Sequence, residues 1–259
     1  MNDYGRSLPP RARGKKDKIL IKDAPSRARL RAPAPRPKVA TKTSRKPKTA
    51  APRGTSTRDP RRTSAAILAA AVKEFSEKGF GGARINRIAA RAKVNKRMLY
   101  HYFGGKEALY LAVLEGVYVA IRSAEHRLHL ADRGPVEGMR TLIQFTWRYF
   151  LEHPEFLSML ATENLHRAKY LQRSARIFDL HSPLVAQIST LLRRGAEQGE
   201  FRRDTDPVKV YISIASLGFF YLSNRWTLST IFRRNLADDS ELAAWGDHIA
   251  DVILSYLRP

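Results

Sequence analysis

Four residues between positions 96 and 101 carry the clearest chemistry in this sequence. Lys96, Arg97, Tyr100 and His101 fall at i, i+1, i+4 and i+5, so a helix would place them on one face. That face is cationic, aromatic and rich in hydrogen-bonding groups, and none of its four members is an acid. Lysine neutralises phosphate, arginine offers a fork of donors to a base edge, and tyrosine and histidine bond to either. The chemistry is recognition of double-stranded DNA. A solvated helix face usually mixes signs, and this one does not.

The same stretch, Lys96 to Phe103, carries a second stripe: Leu99, Tyr102 and Phe103, with Val94 just before it. These should pack against two preceding helices. Ile67, Leu68, Ala71, Val72 and Phe75 mark the first, with Thr63 or Ser64 as its cap and Gly79 as its stop. Ile85, Ile88, Ala89 and Ala92 mark a short second helix. Lys93-Val94-Asn95 then makes a turn in which Asn95 caps the third helix. A short helix, a tight turn and a helix with such a cationic face make a helix-turn-helix with its recognition helix.

Charge is graded along the 259 residues. The formal net charge is +23, but residues 1–62 hold 20 Lys/Arg against 4 Asp/Glu, and residues 63–110 hold 9 against 3. The remainder is nearly balanced, with 18 against 17. Residues 1–60 contain nine of the 14 prolines and one aromatic residue, Tyr4. Such a segment cannot bury enough apolar surface to offset chain entropy, so it is expected to be a disordered basic tail. If it touches DNA, it adds sequence-independent affinity for phosphate.

Cysteine is absent, which excludes disulfides, thiolate metal sites and cysteine nucleophiles. No secretory leader is visible, and the longest apolar run, Val210 to Leu222, is too short to span a bilayer. No membrane partner is expected. No P-loop, dinucleotide fingerprint, nucleophile elbow or His-Glu-x-x-His motif is present, so an enzyme is not expected. His126 and His129, near Glu125 and Asp132, have helical spacing but read as solvated groups, so neither metal nor cofactor is expected.

The run Ile67 to Phe80, with Ile88-Ala89, Val94-Asn95-Lys96, Leu99-Tyr100-His101-Tyr102-Phe103 and Lys106-Glu107-Ala108-Leu109, closely resembles the DNA-binding domain of the TetR/AcrR family. Gly199-Glu200-Phe201-Arg202 and Asp206-Pro207 resemble that family's link between its seventh and eighth helices. Arg84, Lys93 and Gly105 depart from its usual small hydroxyl, glycine and serine. The resemblance implies an all-α fold. Residues 61–110 would be a three-helix DNA-binding domain, and residues 111–259 a helical ligand-binding and dimerisation domain. Tyr100 and His101 look like the family's phosphate- and base-contacting positions, and Thr63 and Lys106 like phosphate clamps at helix starts. Arg84 would add a phosphate contact at the second helix.

The implied partners are a palindromic DNA operator, a second copy of the chain and a small-molecule effector of unknown identity. Periodicity in residues 113–257 gives further helices, the seventh starting at Pro183 and ending at Gly199. Val210 to Leu222 is apolar nearly all round, so the eighth helix must be covered on more than one side. In the family, the eighth and ninth helices of two subunits supply that cover. The effector would lie among helices four to eight, where the candidates are Phe145, Trp147, Arg148, Met159, Glu163, Asn164, Phe178, His181, Tyr211 and Phe220. A repressor of this kind would be cytoplasmic and nucleoid-associated in a bacterium. The competing expectation is an architectural DNA binder of weak sequence preference that works through its tail.

Overall fold

The computed structural model describes residues 59–259. The expected tail lies outside them except for Asp59 and Pro60, which cap and open the first helix. The described residues form nine α-helices: α1 (Pro60–Gly82), α2 (Ile85–Arg91), α3 (Lys96–Phe103), α4 (Lys106–His126), α5 (Pro135–Glu152), α6 (Pro154–Leu165), α7 (Ile177–Glu197), α8 (Pro207–Phe232) and α9 (Asp239–Leu257). Among the described residues no helix is long and apolar enough to cross a membrane.

Local chemistry sets most of the boundaries. Pro60, Pro135, Pro154 and Pro207 each stand in the first turn of a helix, where a missing N–H costs nothing. The Asp59 carboxylate accepts from Arg61 N, so the cap is Asp59, not Thr63 or Ser64. Regular geometry in α1 breaks at Gly79 (φ 62°), as its glycine suggested, although one more turn follows. The seventh helix starts six residues before Pro183, which lies inside it. Ile177, Leu180 and Leu184 repeat at helical spacing and pack against the main core, which offsets the hydrogen bond that proline removes.

Two cores organise the chain. The first joins Ile67, Phe75, Ile88, Leu99, Leu109 and Tyr110 with Met159 and Tyr170 from farther along. The second lies among α4 to α9, around Ile121, Met139, Ile143, Phe150, Ile188 and Ile253. The expected boundary at residue 110 falls inside α4, which runs unbroken from one core into the other. Its Leu109, Tyr110 and Val113 belong to the first, and its Tyr118 and Ile121 to the second.

Candidate nucleic-acid interface and effector region

The expected recognition face is built outward from one buried side chain. Leu99 is fully enclosed, Tyr102 and Phe103 are half-buried beside it, and Lys96, Arg97, Tyr100 and His101 are exposed. Asn95 starts the helix with its side-chain oxygen accepting from Arg97 N at 2.9 Å, and Met98 N donates to Asn95 O at 2.9 Å. The preceding turn is closed by Val94 N to Ala89 O (3.0 Å) and Lys93 N to Ala90 O (3.1 Å). Lys93 has φ 54°, so a lysine occupies the left-handed position where glycine is unstrained. Gly104 (φ 72°) ends α3.

On the exposed face, Lys96 Nζ lies 5.7 Å from the Tyr100 ring, and the His101 and Tyr102 rings meet edge-on at 5.5 Å. The neighbouring helix ends differ from one another. Arg84 is exposed at the start of α2, where its backbone N–H donates to the buried Glu74 carboxylate at 3.2 Å. Lys106 opens α4 with its ammonium 4.8 Å from the Phe80 ring, and burial there lowers its pKa while Glu74 opposes the shift. Thr63 is the exception among the expected contacts. It is buried, and its hydroxyl donates to Asp59 O at 3.2 Å, which leaves little surface for a phosphate.

The ten expected effector residues do not converge. Trp147 is a structural post: its Nε1 donates to Leu242 O at 3.1 Å, and its indole lies against Gly246 and Gly218. Met159 is sealed in the first core. Glu163 is buried and accepts from Tyr170 N (2.8 Å) and Leu171 N (3.1 Å), so it holds the loop after α6. Burial, followed by that carboxylate, pushes the Tyr110 hydroxyl up. Arg148 and Asn164 are exposed, and Asn164 donates to its own helix at Leu160 O. Phe178 is 78% exposed. Phe145 packs on Tyr149, and Phe220 lines a separate cleft of about 630 Å³ between α8 and α9.

Only His181 and Tyr211 of the ten meet around a shared polar centre, and sequence reasoning missed that centre. It is Arg122 with Glu125, both buried, their charged atoms 3.0 Å apart. Arg122 donates to the Tyr211 hydroxyl at 3.2 Å, and the His181 ring stacks edge-on against Tyr118 at 5.2 Å. Burial raises the Glu125 carboxyl to about 7 against the pull of Arg122, and raises the Tyr118 hydroxyl to about 12. The missed signal was available. Residues 114, 118, 121 and 125 form one stripe of α4, so Glu125 falls on the apolar face while His126 and His129 are exposed. Among the described residues, no three His, Cys, Asp or Glu side chains gather to hold a metal ion.

One apolar face remains uncovered in the single chain. Val208, Ile212, Phe220, Trp226 and Ile231 of α8 are exposed, Trp226 by 63% and Ile231 by 68%. At ~100° per residue they fall within about 140° of the helix circumference. Val252 and Tyr256 of α9 are exposed as well.

Comparison with known proteins places this architecture. The family model described as bacterial regulatory proteins, tetR family, matches residues 67–113, and one described as tetracyclin repressor-like, C-terminal domain, matches residues 135–253. The chain is 43% identical over 197 residues to the HTH-type transcriptional repressor NicS of Pseudomonas putida, covering 76% of this chain and 93% of that one. It is 27% identical over 194 residues to the HTH-type transcriptional regulator RutR of Escherichia coli, covering 75% of this chain and 90% of that one. Among solved structures, a tetR-family regulatory protein from Rhodococcus RHA1 superposes with a TM-score of 0.61 at 18% identity, covering 76% of this chain and 97% of that one.

Proposed function

The chain belongs to the TetR family of bacterial regulatory proteins, and from that premise we propose that it is a homodimeric repressor whose α3 helices read a palindromic operator until a small molecule binds the helical body. The observation that carries this reading is the acid-free face of Lys96, Arg97, Tyr100 and His101, raised to the surface by the buried Leu99. Arg97 would bind a guanine edge with two donors, while Lys96 and His101 complete the readout and Tyr100 spans to a phosphate. Lys106 and Arg84, at helix starts, would hold phosphates on either side and fix the register.

The uncovered face of α8 and α9 is our proposed dimer surface. Its large apolar side chains would lose water on pairing, and a two-fold dimer sets two recognition helices on one side of the duplex. Because α4 belongs to both cores, a shift of its C-terminal half would move the DNA-binding helices, so effector and DNA would compete through that helix. The names of the relatives favour repression over activation. The names of the relatives also favour a regulator over an architectural role, whose tail lies outside the described residues.

The test is footprinting of Arg97→Ala and Tyr100→Ala. Both should lose the protected operator while keeping the wild-type melting temperature, since neither side chain packs in a core. Protection retained by both variants would refute the assignment of the face.

A further inference from the structure

The buried charges of α4 are unusual in what they leave unused. Arg122 is 8% exposed and Glu125 2% exposed. Although Arg122 Nη1 and Glu125 Oε2 approach to 3.0 Å, neither atom makes a hydrogen bond, and nor does Arg122 Nε. Native structures nearly always satisfy such groups, because burying an unpaired polar atom is costly. A buried guanidinium whose Nε and Nη1 donate no hydrogen bond, with Glu125 as its only ion-pair partner among the described residues, is short of acceptor oxygens. A cleft of about 210 Å³ between α4 and α7 opens on both residues, with Val119, Leu180, Pro183 and Leu184 among its walls. That is roughly seven waters' share of liquid volume at ~30 Å³ each, room for one substituted ring.

We propose that Arg122 and Glu125 are the polar end of the effector site and that the effector is a small aromatic carboxylate, held by the unsatisfied donors of Arg122 with its ring against the apolar walls of the cleft. This rests on the reading of the chain as an effector-controlled regulator. An anionic oxygen supplies the charge-assisted acceptor that these buried donors lack, which a neutral amide oxygen does not. On the side of Arg122 away from the cleft walls, the Tyr211 ring lies 5.4 Å from the guanidinium and its hydroxyl accepts from Nη2, which fixes the head of the side chain. A ligand cation is disfavoured, since it would add a second positive charge beside Arg122.

Charge balance gives the site a pH signature. Arg122 and Tyr149 of α5 interact with Glu125 directly; around the pair stand Tyr118 on α4, His181 on α7 and Tyr211 on α8, all interacting with Arg122, with His126 and Asp179 lining the cleft and Glu155 of α6 facing Tyr149. Asp179 is exposed, at the mouth of the cleft, and burial lowers the His181 pKa. When a carboxylate takes Arg122, Glu125 loses its counter-charge and takes up a proton. The ligand replaces it as the partner anion, and the buried net charge is unchanged. Binding therefore weakens as Glu125 ionises.

The experiment is titration calorimetry of the full-length chain with benzoate, benzamide and inorganic phosphate at pH 6 and pH 8. Benzoate should bind once per chain, with benzamide and phosphate at least about tenfold weaker, as loss of a charge-assisted pair or of the ring implies. A carboxyl titrating near 7 makes benzoate about tenfold weaker at pH 8 than at pH 6. Glu125→Gln should remove that dependence. Arg122→Gln combined with Glu125→Gln, which leaves no lone buried charge, should abolish benzoate binding while circular dichroism and DNA affinity persist. Equal binding of benzamide, equal binding of phosphate, or benzoate binding by the double variant would each overturn the ligand class. Operator affinity measured on the same samples separates the two readings. Intact DNA binding without carboxylate preference refutes only this inference. The expected binding pattern without DNA release supports the site and refutes the coupling.

Discussion

Substitution of Gly246 by alanine probes how α5 holds the helix that we place at the dimer surface. A Cβ at residue 246 would lie 2.6 Å from Trp147 Cδ1 and 2.8 Å from Nε1. The indole has no free retreat: Nε1 donates to Leu242 O one turn earlier on α9, and the ring's other edge faces Gly218 of α8. Overpacking a filled core costs about 1–3 kcal/mol, and weakening the Trp147 hydrogen bond adds about 1 kcal/mol. Replacing glycine within a helix returns ~1 kcal/mol. The net is a loss of about 1–3 kcal/mol, or several degrees in Tm at ~2–4 °C per kcal/mol for a chain of this size. Gly116→Ala is the matched control. It lies exposed within α4 with no atom within 4 Å of an added Cβ, so it should gain about 0.5–1 kcal/mol. Both are measured by urea and thermal unfolding at one protein concentration, because dimerisation shifts apparent stability. Gly246→Ala as stable as Gly116→Ala would refute the role of Trp147 as a fixed post.

Trp226→Asp should give a monomer by light scattering at micromolar concentration, with helical content unchanged and operator affinity lost, because it places a charge on the apolar face of α8. Glu125→Gln should alter the pH dependence of stability. The folded-state carboxyl is raised to about 7, so its protonated form stabilises the fold fully below the unfolded value and that contribution is lost as pH rises through 7. Relative to the variant, wild type should lose about 2–4 kcal/mol between pH 4.5 and 7.5, the shift converted at ~1.4 kcal/mol per unit. Equal slopes for both proteins in denaturation at each pH would contradict the burial of that charge.

The DNA-binding helices were legible because their signals are local. Asn95 caps, Lys93 turns, and the two stripes of residues 96–103 separate at a single period, so α3 begins and ends where the sequence places it. Boundaries that tertiary packing decides were not. Pro183 marks a helix start by propensity, yet three apolar contacts carry α7 back to Ile177. The first cap falls to Asp59 because the tail's last residues join α1, which turns Thr63 inward. The effector region was the least legible. Aromatic residues such as Trp147 and Met159's neighbours read alike whether they fill a core or line a cavity, and only distances separate them. Arg122 and Glu125 were written into an apolar stripe, but Glu125 sits one residue from His126 and was read only as a neighbour of a solvated histidine pair.

Selection of bound fragments from a random DNA pool tests the central claim most directly, because it asks at once whether α3 reads bases and whether two copies act together. The expected result is one inverted repeat, its half-sites separated by about one helical turn or a multiple of it (~34–36 Å), and lost in the Arg97→Ala protein. Enrichment of no consensus, or of a single unrepeated half-site, would contradict a dimeric sequence-specific regulator.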